Sequence, residues 1–304
     1  MKLTFFWFAA ALALATPSAI GKINVVATTT DFAAIAREIG GDKVQVTALA
    51  KPTEDPHFID AKPGFIATLN RADVLIEGGA ALEHGWLQPL LQGARNPRIS
   101  GAAPGHVHGN AGIKMLGVPA SLDRSRGDIH AEGNPHFLID PMNAKVVAAN
   151  IANALSKAEP KSYEFYRANL KAFEEKIDGR MVEWQKQMAP HKGASVVAYH
   201  DSWPYFAERF GLKIELFLEP KPGIPPTPSH IASLVQKMRE QNVRVILVDA
   251  YVNRRQADSV ASKTGAVTVP VSHFPGGVKG TEGGYVELVD YLVKSISQAL
   301  AGAK

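Results

Sequence analysis

The chain of 304 residues contains no cysteine. That excludes disulfides, thiolate zinc sites, iron–sulfur clusters and a cysteine nucleophile, and it excludes a lipid anchor on an N-terminal cysteine. A dominant charge is missing too. The 33 Lys and Arg residues against 29 Asp and Glu leave a formal +4 with no long basic run, so no nucleic-acid partner is expected. Catalytic signatures are also absent: the chain has no HExxH pair, no GxSxG elbow and no phosphate loop. What it does have is apolar residues, 46% of the total against 20% charged. This is the composition of one large or two medium domains with real cores, not of a disordered chain.

The first segment reads as an export signal. Lys2 precedes an apolar run from Leu3 to Ala15 that only Thr4 interrupts, and Thr16-Pro17-Ser18-Ala19-Ile20-Gly21 follows. A basic start, a short apolar stretch and a small-residue end make a secretory signal peptide, with cleavage expected before Lys22. The run falls short of the ~20 residues a membrane span needs, and no later stretch reaches that length. Export without cysteine fits a bacterial periplasm, with the mature protein free of a lipid anchor.

Beyond the signal, strand-like and helix-like patterns alternate. Lys22 to Thr28, Val44 to Ala50 and Asp73 to Glu77 read as strands, with helices from Asp31 as cap to Ile39, over Pro63 to Asn70 and over Leu82 to Leu91. Asn143 to Ala158 is a longer helix. The second half repeats the pattern: strands at Ala194–Ala198, Lys213–Leu218, Val243–Val248 and Val267–Val271 alternate with helices near Trp203–Phe210, Ser229–Gln241 and Arg255–Thr264, and a last helix runs from Tyr285 to Leu300. Such alternation predicts parallel α/β sheets.

Between the halves lies one uninterrupted helical stripe. Tyr166, Leu170, Phe173, Ile177, Met181 and Trp184 recur at helical spacing in a stretch whose only glycine is Gly179. At ~1.5 Å per residue, Pro160 to Met188 makes a rod of roughly 40 Å. The expected organisation is a signal peptide at 1–21, an N-terminal α/β lobe at 22–159, a stiff connecting helix at 160–190 and a C-terminal α/β lobe at 191–304. The stretch from Gly101 to Gly133, rich in glycine, charge and histidine, is expected to be surface loop.

Three of the ten histidines share a context. His57 follows Asp55-Pro56 beyond the second strand, His136 follows Asn134-Pro135, and His200 ends the strand that carries Ala198 and Tyr199. Ligands of open α/β sheets bind beyond the carboxyl ends of strands. The first two histidines precede the long helix and the third follows it, so they can meet only in a cleft between lobes.

These surroundings, DPHFID at 55–60, NPHFLIDP at 134–141, AYHDSWPYFAERFGL at 198–212 and GIPPTPSHIASLV at 223–235, resemble the cluster A-I solute-binding proteins of zinc and manganese ABC transporters. The resemblance spans essentially the whole mature chain. It implies two (β/α) lobes joined by one rigid helix, one metal ion in the interlobe cleft, and delivery of that ion to a membrane permease by a monomer that is not an enzyme. His57, His136 and His200 match three ligand positions of the family. Where the family carries an aspartate as fourth ligand, this chain has His273. That leaves His273, Asp249 at the end of the strand Val243–Val248, or water as the fourth donor.

Imidazole donors suit zinc in tetrahedral geometry, whereas manganese prefers added oxygen ligands. The expected cargo is therefore Zn2+, with Mn2+ the alternative, although copper and nickel also accept imidazole. Asp60, Asp140, Asp201 and Glu219 are candidates to orient the ligand imidazoles. His130 is a possible accessory ligand. The resemblance implies a histidine-rich loop in the region of His106 and His108, here reduced to His-Val-His. These two are expected to be solvent-loop residues, with weak capture of metal the alternative, while His84 and His191 are expected to be surface residues and His230 a structural residue at a helix start. A zinc hydrolase is a poorer reading, because no carboxylate sits beside a histidine pair as base. An adhesin is poorer still, because the chain lacks repeats and β-rich character.

Overall fold

Val25, Val26 and Ala27 of strand β1 (Ile23–Ala27) are buried on both faces, as a parallel strand between two helical layers requires. The same apolar continuity marks β3 (Val74–Glu77) and β7 (Val245–Asp249). In the computed structural model, which describes residues 21–121 and 130–303, these strands sit inside two separate four-stranded parallel sheets. The first contains β1, β2 (Val44–Ala48), β3 and β4 (His106–His108) in the order β2-β1-β3-β4. The second contains β5 (Ser195–Ala198), β6 (Lys213–Phe217), β7 and β8 (Val267–Val271) in the equivalent order β6-β5-β7-β8. In each sheet the chain winds outward in both directions from a central pair, so a crevice opens at the carboxyl edge where the winding reverses.

The helices that cover the sheets are α1 (Thr30–Gly40), α2 (Pro63–Asn70), α3 (Leu87–Ala94) and α4 (Pro141–Ala158) in the first half. In the second half they are α6 (Pro204–Phe210), α7 (Pro228–Glu240), α8 (Arg255–Thr264) and α9 (Tyr285–Gly302). Between the halves runs α5 (Tyr163–Met188), 26 residues long and flanked by short 3-10 turns. Its predicted stripe, extended by Met188, is the face it buries. That face belongs to a single apolar core containing Val25 and Ile76 of the first sheet, Val196 and Leu247 of the second, and Leu292 and Ile296 of α9.

Polar contacts add to this shared core. Trp184 Nε1 of α5 donates to Asp290 Oδ1 of α9 at 2.6 Å, and Arg180 pairs with the same carboxylate. Asn169 donates to the Ile39 carbonyl at the end of α1 at 2.9 Å. Further pins cross directly between the halves: Arg209 of α6 grips Asp140 through both carboxylate oxygens at 2.7 and 2.8 Å, and Tyr285 of α9 donates to the Leu138 carbonyl at 2.6 Å.

Four expectations need correction. The stretch from Gly101 to Gly133 is not all loop. His106 to His108 pair with Leu75 to Glu77 as the edge strand β4, which is too short and too polar to announce itself by periodicity. The helix expected from Leu82 begins only at Leu87, because Gly79, Ala80 and Ala81 take left-handed φ values of 72°, 49° and 62° that hold this stretch in turns. Thr29, not Asp31, is the N-cap of α1, while Asp31 is buried inside the first turn. His191 is buried rather than at the surface. The expected signal peptide lies, apart from Gly21, outside the described residues.

Candidate metal centre

The loops that leave the carboxyl ends of the strands carry the histidines. His57 lies beyond β2 and His136 just before α4. Both are presented by one local device. Asp55 Oδ1 accepts the backbone N–H of His57 at 3.0 Å, and Asn134 Oδ1 accepts that of His136 at 3.0 Å. A short polar side chain bonding the N–H two residues on forms an Asx turn, and the intervening proline stiffens it. This is the physical content of the Asp-Pro-His and Asn-Pro-His spellings. Gly133 opens the second turn with a φ of 110°, where a Cβ would meet the Leu116 carbonyl at 2.8 Å. The second lobe holds this segment in place: Tyr205 donates to the Asn134 carbonyl at 2.8 Å, and Asn134 Nδ2 donates to that of Asp201 at 2.6 Å.

His57, His136 and His200 each bring a ring nitrogen within 4.8 Å of the others'. Carboxylates determine which nitrogen is offered. His57 Nδ1 lies 2.8 Å from Asp55 Oδ1, and His200 Nδ1 lies 2.8 Å from Glu219 Oε2. An ionised carboxylate only accepts, so both Nδ1 atoms carry protons and both Nε2 lone pairs are left for the centre. Burial and the charges of the surrounding imidazoles hold His136 well below the ordinary histidine range, which keeps it neutral. His200 goes the other way. Burial alone lowers it, but its bond to Glu219 and the charges of Glu219, Asp55 and Asp201 raise it above the ordinary value.

The fourth side of the cleft comes from β7 and the loop after β8. His273 lies with its ring centroid 5.4 Å from that of His136 and rests against Trp203 at 4.6 Å. Its Nε2 lies 3.3 Å from Oδ1 of Asp249, whose side chain is 0% exposed. The two candidates for the fourth donor are therefore neighbours. Among the described residues, Nε2 of His57, His136 and His273 and both oxygens of Asp249 are buried without a hydrogen-bond partner. Burying so many unpaired polar atoms in one place is costly, and an unpaired buried carboxylate is costlier still. A cation among them satisfies them together. The adjoining cavity, lined by Asp55, His57, Tyr199, His200, Glu219 and Tyr251, encloses 30 Å³, room for a single ion or water molecule.

The remaining sequence candidates divide. His130 enters the cluster, with its ring 5.3 Å from that of His57. His84 is exposed, and His230 bonds the Phe217 carbonyl through Nε2 at 3.0 Å in a structural role. Of the proposed orienting carboxylates, Glu219 takes that part. Asp140 instead caps α4 through Met142 N and binds Arg209, and Asp60 is exposed. Asp55, which orients His57, is not among them although it stands two residues before His57 in the motif itself. His106 and His108 are joined by Glu77, which the sequence does not single out: the three bring donor atoms within 4.8 Å of one another at the β3–β4 edge.

The family described as zinc-uptake complex component A, periplasmic (ZnuA), matches residues 25–299 of the chain. The metal ABC transporter substrate-binding lipoprotein ScbA of Streptococcus cristatus is 26% identical, covering 94% of this chain and 91% of its own length. The manganese ABC transporter substrate-binding lipoprotein PsaA of Streptococcus mitis is 25% identical, covering 92% and 90%. A crystal structure of ZnuA superimposes with a TM-score of 0.78 at 21% identity, covering 92% of this chain and 99% of that one. The Mn-bound periplasmic metal-binding protein of Candidatus Liberibacter asiaticus superimposes with a TM-score of 0.75 at 23% identity, covering 92% and 100%.

Proposed function

Because this chain belongs to the periplasmic zinc-uptake component family, whose members are the metal-binding parts of ABC importers and not enzymes, we propose that it captures Zn2+ in the cleft between its lobes and delivers it to a membrane permease. We assign His57, His136, His200 and His273 as the four donors, with Asp249 as the buried anion beside the last. The observation that carries this reading is the set of buried polar atoms without a hydrogen-bond partner, three imidazole nitrogens and two carboxylate oxygens, gathered in one place among the described residues.

The choice of zinc rests on the donor set. Four imidazoles form a borderline-soft shell that suits zinc at ~2.0 Å, whereas manganese gains from hard oxygen donors. Relatives named for manganese keep that metal as the competitor to test. Asp249 offsets part of the dication's charge in a site that would otherwise be lined by neutral rings. His130 stands beside His57 as an accessory donor.

The protein acts as a periplasmic monomer without nucleic-acid partners. Its relatives are named lipoproteins, and we place this chain, which contains no cysteine, in the periplasm. Equilibrium dialysis against zinc and manganese tests the function directly. One tight zinc equivalent, weakened severely by His57→Ala, His136→Ala or His200→Ala and left alone by His84→Ala, is the expected result. Preferential retention of manganese from an equimolar mixture would overturn the assignment of the metal.

A further inference from the structure

The group at the edge of the first sheet is built differently from the cleft. In the parallel register of β3 and β4, Leu75 lies opposite His106 and Glu77 opposite His108. Side chains two apart on a strand share a face, so His106 and His108 stand on one side of the sheet with Glu77. The two imidazole rings lie 4.4 Å apart. Glu77 Oε1 meets both, at 2.7 Å from His108 Nδ1 and 3.3 Å from His106 Nε2.

The second of these contacts is the informative one. His106 Nδ1 lies 3.2 Å from the Gly101 carbonyl, which can only accept, so Nδ1 carries the proton. In the neutral ring Nε2 is then a bare lone pair, yet it points at a carboxylate oxygen. The His106 side chain is 4% exposed, and its Nε2 is buried with no hydrogen-bond partner among the described residues. Two acceptors facing one another out of water repel unless a proton or a metal ion lies between them, and a metal ion would draw His106, Glu77 and His108 together.

Around this edge lies an open cavity of 350 Å³ lined by Glu77, Glu83, His84, His108, Asn110 and Glu132. It is acidic, and it reaches the donors from solvent through His108, whose side chain is 49% exposed.

We infer that Glu77, His106 and His108 form a second divalent metal site, separate from the interlobe cleft and open to solvent. Two imidazoles and one carboxylate are a donor set for zinc or a neighbouring transition metal, with the fourth position left to water. Having fewer protein donors and more exposure than the cleft, this site binds more weakly and exchanges more readily.

Dialysis of the full chain against zinc alone tests this across a wide range of free metal. The wild-type protein should take up two equivalents, the second at least tenfold weaker than the first. His108→Ala should weaken only the second. The pair His106→Gln with His108→Ala should bind a single equivalent, and so should the pair His57→Ala with His136→Ala, which leaves the edge site intact. Saturation of the wild type at one equivalent overturns the inference, as does a second equivalent that survives in the His106/His108 pair. Should the His106 variant fail to fold, His108→Ala alone decides: an unchanged second affinity refutes the site. Loss of the weak equivalent in the edge variants, together with an undiminished tight one in the cleft pair, would leave this site standing and overturn the proposed cleft ligands instead.

Discussion

Glu219 Oε2 lies 2.8 Å from His200 Nδ1, and that contact determines which nitrogen of His200 faces the cleft. Without it, the ring is free to turn or to take the other tautomer. Glu219→Gln should lower zinc affinity by about 10- to 100-fold, the usual effect of losing a partner that orients a metal-binding histidine. Asp55→Ala should act alike on His57 and also remove the Asx turn that aims it. Competition against a chelator of known affinity measures both. Wild-type affinity in the two variants would show that the carboxylates orient nothing that matters.

Metal retention should fail in acid, and the two shifted histidines give opposite contributions. His200 sits above its ordinary value, because Glu219, Asp55 and Asp201 outweigh its burial, so it takes up a proton early as pH falls. His136 sits well below, so it stays neutral longest. Each proton that must leave before zinc binds costs about tenfold in affinity per pH unit below that group's pKa. The expected result is a steep fall between about pH 7 and pH 5, delayed in no part by His136. In the metal-free protein the raised His200 contributes stability that is present at low pH and lost as pH rises through its folded value. Chelator competition at several pH values checks the first expectation. Full affinity at pH 5 would be incompatible with a shell of imidazoles.

Zinc should raise thermal stability, because the cluster exists only in the folded chain. At a thousandfold excess over Kd, mass action contributes about 4 kcal/mol. Calorimetric melting with and without metal reads this, and a midpoint unmoved by stoichiometric zinc would count against the cleft as a metal site.

The fourth donor can be assigned by two variants measured together. His273→Ala should weaken zinc as much as losing any other ligand, and Asp249→Ala should weaken it less, because it removes charge rather than a bond. His273→Asp should keep zinc binding while shifting relative affinity toward manganese, the harder ion. If Asp249→Ala carries the larger loss, the roles are reversed. If both alanine variants are silent, water completes the shell.

Closure on binding should be small. The lobes share one core along α5 and are pinned by Arg209 to Asp140 and by Tyr285 to Leu138. Scattering curves of the metal-free and zinc-bound protein should nearly superimpose, and a large fall in radius of gyration would refute this rigidity.

Much of this architecture is legible in the chain itself. Apolar runs announce the long parallel strands because both faces are buried, and the stripe from Tyr166 to Trp184 announces α5 because a helix buries one face at fixed spacing. The strand β4 is not legible, since His106-Val107-His108 carries one apolar residue and gains its place only by pairing with β3. Asp55 and Asn134 were readable in principle, as an Asx residue before Pro-His is a local turn signal. The grip of Arg209 on Asp140 was not, because those residues are remote in sequence and meet only when the lobes pack.

The sequence by itself determined the chemistry available. An absence of cysteine and a set of histidines at turn-forming spellings restrict the donors to imidazole and carboxylate. Local turns and strand ends then present each donor, since these depend on neighbours a few residues away. Only the tertiary structure decided which donors meet. It set Asp249 against His273, gave Glu219 to His200, and separated the trio at Glu77 from the cleft. Those pairings follow from strand order, which brings together side chains some 19 to 31 residues apart, and from the packing around them, which strips away the water that would otherwise satisfy them.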